Sequence, residues 1–212
     1  MRKTILLFTA ILFFITPIFS QKKKKRKKSK PIAEQQFDAT KFEAMKWRNI
    51  GPFRGGRSNA VCGVLGDPMT YYMGTVGGGV WKTEDAGVSW KNISDGFLKT
   101  GTIGSIEVAP SDRNVIYLGM GEHAVRGVMT SRGDGMYKST DAGASWKYIG
   151  LPESHHIAEI RIHPKNPEVL WVAVQGKLWA KSKERGVYKS TDGGKTWKQT
   201  LFVNFEGKEF LL

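Results

Sequence analysis

The sequence predicts an all-β fold built from repeated four-stranded sheets, and three observations support this prediction. A nine-residue pattern recurs as KTEDAGVSW (82–90), KSTDAGASW (138–146) and KSTDGGKTW (189–197). The tryptophans that close the three patterns are 56 and 51 residues apart, a period typical of the blades of a β-propeller. Glycine is abundant, with 25 residues, and no long stretch has the apolar period of a helix.

Four short strands are expected in each repeat, in an up-and-down order. The second repeat contains them as SIEVAP, VIYLGM, GMYKS and SWKYI, with a turn of Pro and Asp/Asn between the first two. Residues 103–122 and 157–176 match one another, and the first repeat has a looser version. We therefore predict blade 1 over residues 52–97, blade 2 over residues 98–150 and blade 3 over residues 151–203.

A further match precedes the first blade. WRNIG (47–51) is similar to WKNIS (90–94) and WKYIG (146–150), so residues 46–51 are expected to form the outermost, closing strand of another blade. About three blades and one strand make an incomplete ring, because a closed propeller typically needs about 4 to 8 blades. An open stack would also leave strand edges exposed. We therefore expect residues 46–212 to be a partial β-propeller, the N-terminal part of a longer chain that supplies the remaining blades.

The N-terminal segment predicts export. Residues 1–20 combine Arg2 and Lys3 with an apolar run that ends at the small residue Ser20, as in a cleaved signal peptide. An uncleaved anchor is the alternative, although the run is short for a span of ~20 residues. Residues 21–45 are expected to be a basic disordered linker, whose positive charge opposes translocation. The protein is expected to be secreted or in the cell envelope, without a stable membrane span after cleavage.

The net charge of +14 is concentrated at the N-terminus. Residues 1–30 hold ten Lys or Arg and no acidic residue, so residues 31–212 carry a net charge of only +4. A mildly basic folded part without a basic stripe disfavours nucleic acid as a partner. Cys62 is the only cysteine, so an intramolecular disulfide is excluded, and its apolar neighbours predict a small buried side chain.

The recurring pattern, Ser/Thr-x-Asp-x-Gly-x-Ser/Thr-Trp, suits a tight turn between the third and fourth strands. Its aspartate can accept hydrogen bonds from turn amides, its glycine can adopt positive φ, and its tryptophan can pack into the blade. Calcium is disfavoured because each turn offers one carboxylate. Catalysis is disfavoured because the carboxylates are spread around the ring, whereas a glycosidase pair must converge on one bond. The residues expected to be structural are Thr83, Asp85, Gly87, Trp90, Ser139, Asp141, Gly143, Trp146, Ser190, Asp192, Gly194 and Trp197.

These patterns resemble the Asp boxes, also called bacterial neuraminidase (BNR) repeats. Together with WRNIGPFRGGR and YMGTVGGGVWKTEDAGVSW, they make residues 46 to about 203 similar to a bacterial secreted branch of the sortilin-type N-terminal propellers. Related propellers occur in xyloglucanase-type glycoside hydrolases, sialidases and photosystem assembly proteins. The resemblance implies a propeller fold rather than one activity, since enzymes and binding proteins share the box.

Loops between the second and third strands, and connections between blades, are expected on the face opposite the aspartate turns. The irregular insertions fall there, and arginines with an exposed tryptophan suit a carboxylate, phosphate or sugar ligand. The alternative is a set of solvated loops in which arginines brace neighbouring blades. The candidate ligand-contacting residues are Arg54, Arg57, Glu122, His123, Arg126, Arg132, Trp179 and Arg185, with His155, His156 and Lys181 on the same face.

Whether the protein is an enzyme is left open by the sequence. The resemblance to xyloglucanase-type enzymes implies a catalytic Asp just before the Gly-Gly that opens the third strand of blade 1, and Val76 stands there. No metal is expected, because His155 and His156 would point to opposite faces of a strand and no HExxH motif occurs. No cofactor and no catalytic residue are expected either. The predicted function is a secreted scaffold that binds peptides or glycans. A glycoside hydrolase whose catalytic residues lie largely outside this chain is the alternative.

Overall fold

The computed structural model describes Met45 and residues 57–123 and 129–203 of the 212-residue chain. The chain divides into residues 1–48 and residues 49–212, and every strand that the structure describes belongs to the second part. The predicted signal peptide, basic linker and closing strand lie outside the described residues, apart from Met45.

Twelve strands in the described residues form three antiparallel four-stranded sheets. Blade 1 contains β1 (Ser58–Val64), β2 (Asp67–Thr75), β3 (Val80–Thr83) and β4 (Lys91–Asn92). Blade 2 contains β5 (Ile103–Ala109), β6 (Asp112–Met120), β7 (Met136–Ser139) and β8 (Lys147–Gly150). Blade 3 contains β9 (Ile157–His163), β10 (Asn166–Val174), β11 (Gly186–Ser190) and β12 (Lys198–Phe202). In every blade the strands lie side by side in chain order.

Local sequence explains the first hairpin of each blade. In blade 2, Val108 pairs with Ile116 and Glu107 with Tyr117 across β5 and β6. Pro110 follows the last residue of β5, because proline has no N–H with which to continue the ladder. The predicted order of four strands per repeat is confirmed, and so is the all-β class. No helix occurs in the part of the chain that the structure describes, and hence none that could cross a membrane.

The hydrophobic core lies between neighbouring blades. The innermost strands β1, β5 and β9 contact one another in that order. One cluster of buried side chains joins blades 1 and 2, including Ile103 and Ile116, and a second joins blades 2 and 3, including Ile157 and Leu170. Full burial of such a side chain contributes about 1.5–3 kcal/mol. Each blade therefore depends on its neighbour for much of its stability.

Two glycines at equivalent positions allow the blades to approach closely. A Cβ atom on Gly74 of β2 would lie 2.6 Å from Cγ2 of Ile103, the first residue of β5. Gly119 of β6 has the same relation to Ile157, the first residue of β9. Because both contacts would become clashes with any larger residue, the two blade junctions share one packing geometry.

The connections between strands collect at two ends of the blades. At one end, which we call the turn face, the turn between the third and fourth strands lies against the turn between the first and second. In blade 2 this contact is the hydrogen bond from Ala142 N to Asn114 O, 3.0 Å long. The turn face comprises the aspartate turns, residues 84–90, 140–146 and 191–197, together with the first hairpin turn of each blade.

The opposite end, which we call the loop face, is where blades connect. There Gly133 N, in the loop between β6 and β7, donates to His155 O, in the connection from β8 to β9, at 2.7 Å. Gly77 N makes a similar bond to Gly101 O at 3.1 Å in blade 1. The described residues of the loop face are 76–79, 93–102, 121–123, 129–135, 151–156 and 175–185.

Candidate functional site

Each aspartate on the turn face is held inside its own turn. Asp192 accepts the N–H of Thr196 at 2.9 Å and the hydroxyl of Thr196 at 2.6 Å, and Ser190 donates its hydroxyl to Asp192 at 2.8 Å. The Ser190 oxygen in turn accepts the N–H of Gly194 at 2.8 Å. The other two turns repeat these contacts. Both carboxylate oxygens of each aspartate are therefore engaged within the turn.

These donors stabilise the charged form of each carboxylate. The hydroxyl of Thr196, followed by its N–H, lowers the pKa of Asp192 to about 2. Ser89 acts in the same way on Asp85, whose pKa also falls to about 2. The pKa of Asp141 is lowered by the serine at the equivalent position. Such carboxylates do not have the raised pKa of a general acid at neutral pH.

The two residues after each aspartate have left-handed backbone conformation. Gly87, Gly143 and Gly194 have φ of 93°, 89° and 88°, values that favour glycine. The preceding position holds Ala86 with φ 58° and Ala142 with φ 56°, but glycine in the third turn. The turns therefore share one backbone geometry although their sequences differ.

The tryptophans of the turns find their partners in different places. Trp146 donates its indole N–H to the carbonyl oxygen of Ile93 in blade 1 at 3.0 Å, and Trp197 makes the equivalent bond to blade 2 at 2.8 Å. Trp90 instead donates to a carbonyl of its own turn at 3.1 Å. The indole N–H thus links two blades wherever a preceding blade is described.

On the loop face, Glu122 joins blades 1 and 2. Its buried carboxylate forms an ion pair with Arg57, which precedes β1. The second carboxylate oxygen accepts the N–H of Ser131 at 3.2 Å. These contacts correspond to the bracing alternative for Glu122, because one carboxylate oxygen pairs with Arg57 of blade 1 and the other is held within the β6–β7 loop of blade 2.

His123 and Arg185 also hold loops together. His123 Nδ1 lies 2.8 Å from the carbonyl oxygen of Gly104. The buried guanidinium of Arg185 donates to the carbonyl oxygens of Gln175 at 2.7 Å and Lys177 at 2.6 Å. Arg185 therefore fixes the loop between β10 and β11 from inside.

Arg132 and Trp179 instead line an open pocket of about 290 Å³ between blades 2 and 3. The described residues 129–135 of the β6–β7 loop, the β8–β9 connection and the β10–β11 loop contribute its walls. Trp179 is 75% exposed there, an unusual position for so large an apolar ring. We call this site the interblade pocket, and its lining residues are Thr130, Arg132, His155, His156, Lys177, Leu178, Trp179 and Ala180.

Three polar atoms of the interblade pocket are buried and have no hydrogen-bond partner among the described residues. They are Thr130 Oγ1, His155 Nε2 and His156 Nδ1. His155 Nε2 lies 3.7 Å from a carboxylate oxygen of Glu153, beyond hydrogen-bond distance. Burial lowers the pKa of His156, which keeps its imidazole neutral at pH 7. Because an unsatisfied buried polar atom costs about 1–3 kcal/mol, these atoms mark a place that a ligand can fill.

Both histidines reach the pocket because they precede the strand. β9 begins at Ile157, so the alternation of side chains along a strand does not apply to His155 and His156, and our expectation that they point to opposite faces is wrong. His155 has φ of 53°, and the two imidazole centroids are 6.4 Å apart. Within the described residues, no group of three or more His, Cys, Asp or Glu is placed to hold a metal ion.

The structure brings together only part of the predicted ligand-contacting set. Arg132 and Trp179 share the interblade pocket, whereas Arg54 and Arg126 lie outside the described residues. Sequence reasoning missed Thr130 and Lys177, whose only signal was their position in insertions between strands. His155 and His156 also line this pocket, whereas the other described candidates hold blades or loops together, namely Arg57, Glu122, His123 and Arg185.

The Sortilin-Vps10 family, described as sortilin, neurotensin receptor 3, matches residues 78–207, which is more than half of the chain. The chain belongs to the Sortilin-Vps10 family. This assignment confirms the predicted sortilin-type relationship.

Among characterised proteins, this Sortilin-Vps10 family member is similar to the xyloglucanase Xgh74A of Acetivibrio thermocellus. The two are 26% identical over 149 residues, which cover 57% of this chain and 16% of the xyloglucanase. The chain therefore spans a small part of the length of this relative.

Two solved structures are similar to the family member in fold. An ancestral GH74 enzyme superposes with a TM-score of 0.55 at 22% identity, covering 77% of this chain and 20% of that structure. The GH74 xyloglucanase from Xanthomonas campestris superposes with a TM-score of 0.53 at 19% identity, covering 73% and 22%. The prediction of β-propeller blades in an incomplete ring is confirmed, and at these identities the likeness shows the fold alone.

Proposed function

We propose that this chain is part of a secreted β-propeller scaffold that binds a peptide or glycan through its loop face. The observation that carries the proposal is the interblade pocket. It combines the exposed ring of Trp179 with the cationic side chains of Arg132 and Lys177 and with three buried polar atoms that have no partner in the described structure. An exposed aromatic ring beside converging polar groups is typical of a ligand site.

In our proposal, the other parts of the chain have structural and targeting roles. The aspartate turns act as structural staples, and residues 46–212 form the partial propeller to which a longer chain adds blades. Residues 1–20 direct export and are then removed, and residues 21–45 serve as a basic linker. The scaffold would then act in the cell envelope or outside the cell.

Binding is favoured over hydrolysis by the chemistry of the pocket. Glycoside hydrolysis requires a pair of carboxyl groups on either side of the scissile bond. None of the described residues that line the interblade pocket is Asp or Glu. Val76 occupies the position at which the xyloglucanase resemblance implies a catalytic carboxylate, and its N–H donates to Arg57 O at 2.9 Å.

A screen of the full chain against peptide and glycan arrays tests the proposal. We expect at least one class of ligand to bind, and Trp179→Ala to weaken that binding about tenfold or more. Arg132→Ala should weaken binding as well. Its matched control is Arg113→Ala, which should not, because Arg113 is an exposed arginine next to Asp67 at the turn face. Absence of binding on both arrays, or an equal loss in the Arg113 variant, would contradict the proposal.

A glycoside hydrolase is the second candidate, and one contact near the innermost strands favours it. Arg161 lies 3.7 Å from Glu107 and forms an ion pair with Glu159, so two carboxylates approach one guanidinium. Burial raises the pKa of Glu107, as expected of a general acid. Hydrolysis of a polysaccharide that is lost in both Glu107→Gln and Glu159→Gln would establish this candidate. Hydrolysis that survives both substitutions would remove Glu107 and Glu159 from consideration.

A further inference from the structure

We propose that the interblade pocket binds an acidic sugar, a saccharide ring that carries a carboxylate. This inference rests on the proposed binding function and narrows it to one class of ligand. Three features of the pocket point to this chemistry. They are the hydrogen-bonding state of its buried polar atoms, the charge of its rim and the position of its aromatic ring.

The buried polar atoms of the pocket are suited to hydrogen bonds with the hydroxyl groups of a ligand. Burial lowers the pKa of His156 and so favours the neutral imidazole, in which one ring nitrogen is a donor and the other an acceptor. The Nδ1 atom of His156 is buried and has no hydrogen-bond partner among the described residues, so a ligand hydroxyl suits it in either role. The Thr130 hydroxyl can donate or accept. A hydroxyl pair on a sugar ring supplies donors and acceptors to both of these atoms, whose residues line the same pocket.

The charged residues at the rim of the pocket favour a negatively charged ligand. Arg132 and Lys177 are exposed there, and the lining contains no acidic side chain among the described residues. Outside the lining, a carboxylate oxygen of Glu153 lies 3.7 Å from His155 Nε2. A guanidinium can hold a carboxylate through two parallel hydrogen bonds. The ligand's charge therefore belongs on the side of Arg132 and Lys177.

The exposed indole ring of Trp179 can pack against a flat apolar surface of the ligand. One face of a sugar ring presents C–H groups, and stacking on the exposed indole would remove both surfaces from water. The pocket, at about 290 Å³, is at the small end for a ligand site, which suits one or two sugar rings.

Calorimetry on the full chain tests this inference with a galacturonate trisaccharide and its carboxyl-reduced, neutral counterpart. We expect the acidic trisaccharide to bind at least tenfold more tightly than the reduced one. Arg132→Ala should remove this preference without affecting the reduced sugar, and Trp179→Ala should weaken both. His156→Phe should also weaken both, since it removes the buried Nδ1 atom but keeps an aromatic ring. Arg113→Ala should change neither, and circular dichroism of every variant checks the fold.

Three outcomes would overturn the inference. Equal affinity for the acidic and reduced sugars would remove the role of the carboxylate. Unchanged affinity in the Trp179 and His156 variants would place the sugar elsewhere. Binding of an array peptide that Trp179→Ala abolishes, with no binding of either sugar, would refute the acidic-sugar inference but retain the proposed function. If neither sugar nor any array ligand bound, the proposed function would fail as well.

Discussion

The aspartate turns of blades 1 and 2 have nearly the same sequence but different surroundings. Trp146 is 7% exposed and is bonded to blade 1, whereas Trp90 is 36% exposed and is bonded only within its own turn. The residues that precede blade 1 in the chain lie outside the described structure. The conformation of the turn therefore depends on local contacts, whereas its tryptophan becomes a core residue only when a neighbouring blade covers it.

The largest expected effect concerns these two tryptophans. Trp146→Ala should lower the free energy of unfolding by about 3–5 kcal/mol, because it leaves a cavity between blades and an unpaired carbonyl at Ile93. Trp90→Ala should cost about 1 kcal/mol, since its ring is already partly in water. Urea denaturation of the full chain measures both. Equal losses would mean that Trp90 is as well covered as Trp146 in solution.

Glycine substitutions test the same difference between the aspartate turns of blades 1 and 2. A Cβ on Gly143 would lie 2.5 Å from Cδ1 of Ile93, whereas a Cβ on Gly87 would meet nothing closer than 3.8 Å. Both positions have positive φ, which costs about 1 kcal/mol for alanine. Gly143→Ala should therefore lower the unfolding free energy by about 2–4 kcal/mol and Gly87→Ala by about 1. If the two variants have the same midpoint in urea, the interblade contact is not tight.

Acid should weaken the turns themselves. The pKa of Asp192 is lowered to about 2 in the folded state, so the carboxylate stabilises the fold fully above its unfolded pKa near 4. This contribution is lost as the pH falls from about 4 through 2. The melting temperature of the wild type should therefore fall more steeply over this range than that of Asp192→Asn. Parallel curves would show that Asp192 does not stabilise the turn. The affinity for a loop-face ligand at neutral pH should be the same in both proteins.

The smallest effect is expected at the residue that follows the aspartate. Ala142 has φ of 56°, and the third turn has Gly193 in this place. Ala142→Gly should raise the free energy of unfolding by less than about 1 kcal/mol, because glycine adopts this conformation without strain. Ala144→Gly, in the same turn but without positive φ, should lower it slightly. A loss of stability in both variants would show that strain at Ala142 is negligible.

Some features of the site were accessible from the sequence and others were not. Arg132 and Trp179 were predicted as ligand-contacting because insertions between strands collect on one face. Glu122 and Arg185 belonged to the same predicted set, but their contacts brace loops and blades. Charge and position in the sequence do not distinguish a residue that lines the pocket from one that braces loops or blades. The burial of each charged group and the identity of its partner distinguish them.

The repeat, the three blades of the described residues and the order of their strands follow from the sequence alone. These features depend on turn residues and alternating apolar residues, whose effects act within about ten residues of chain. Which tryptophan is buried, and which histidine nitrogens have no partner among the described residues, depends on tertiary structure. It also decided that residues 130–132, 155–156 and 177–179 meet in one pocket. Such features arise where segments distant in the chain approach each other, and no local pattern records that approach.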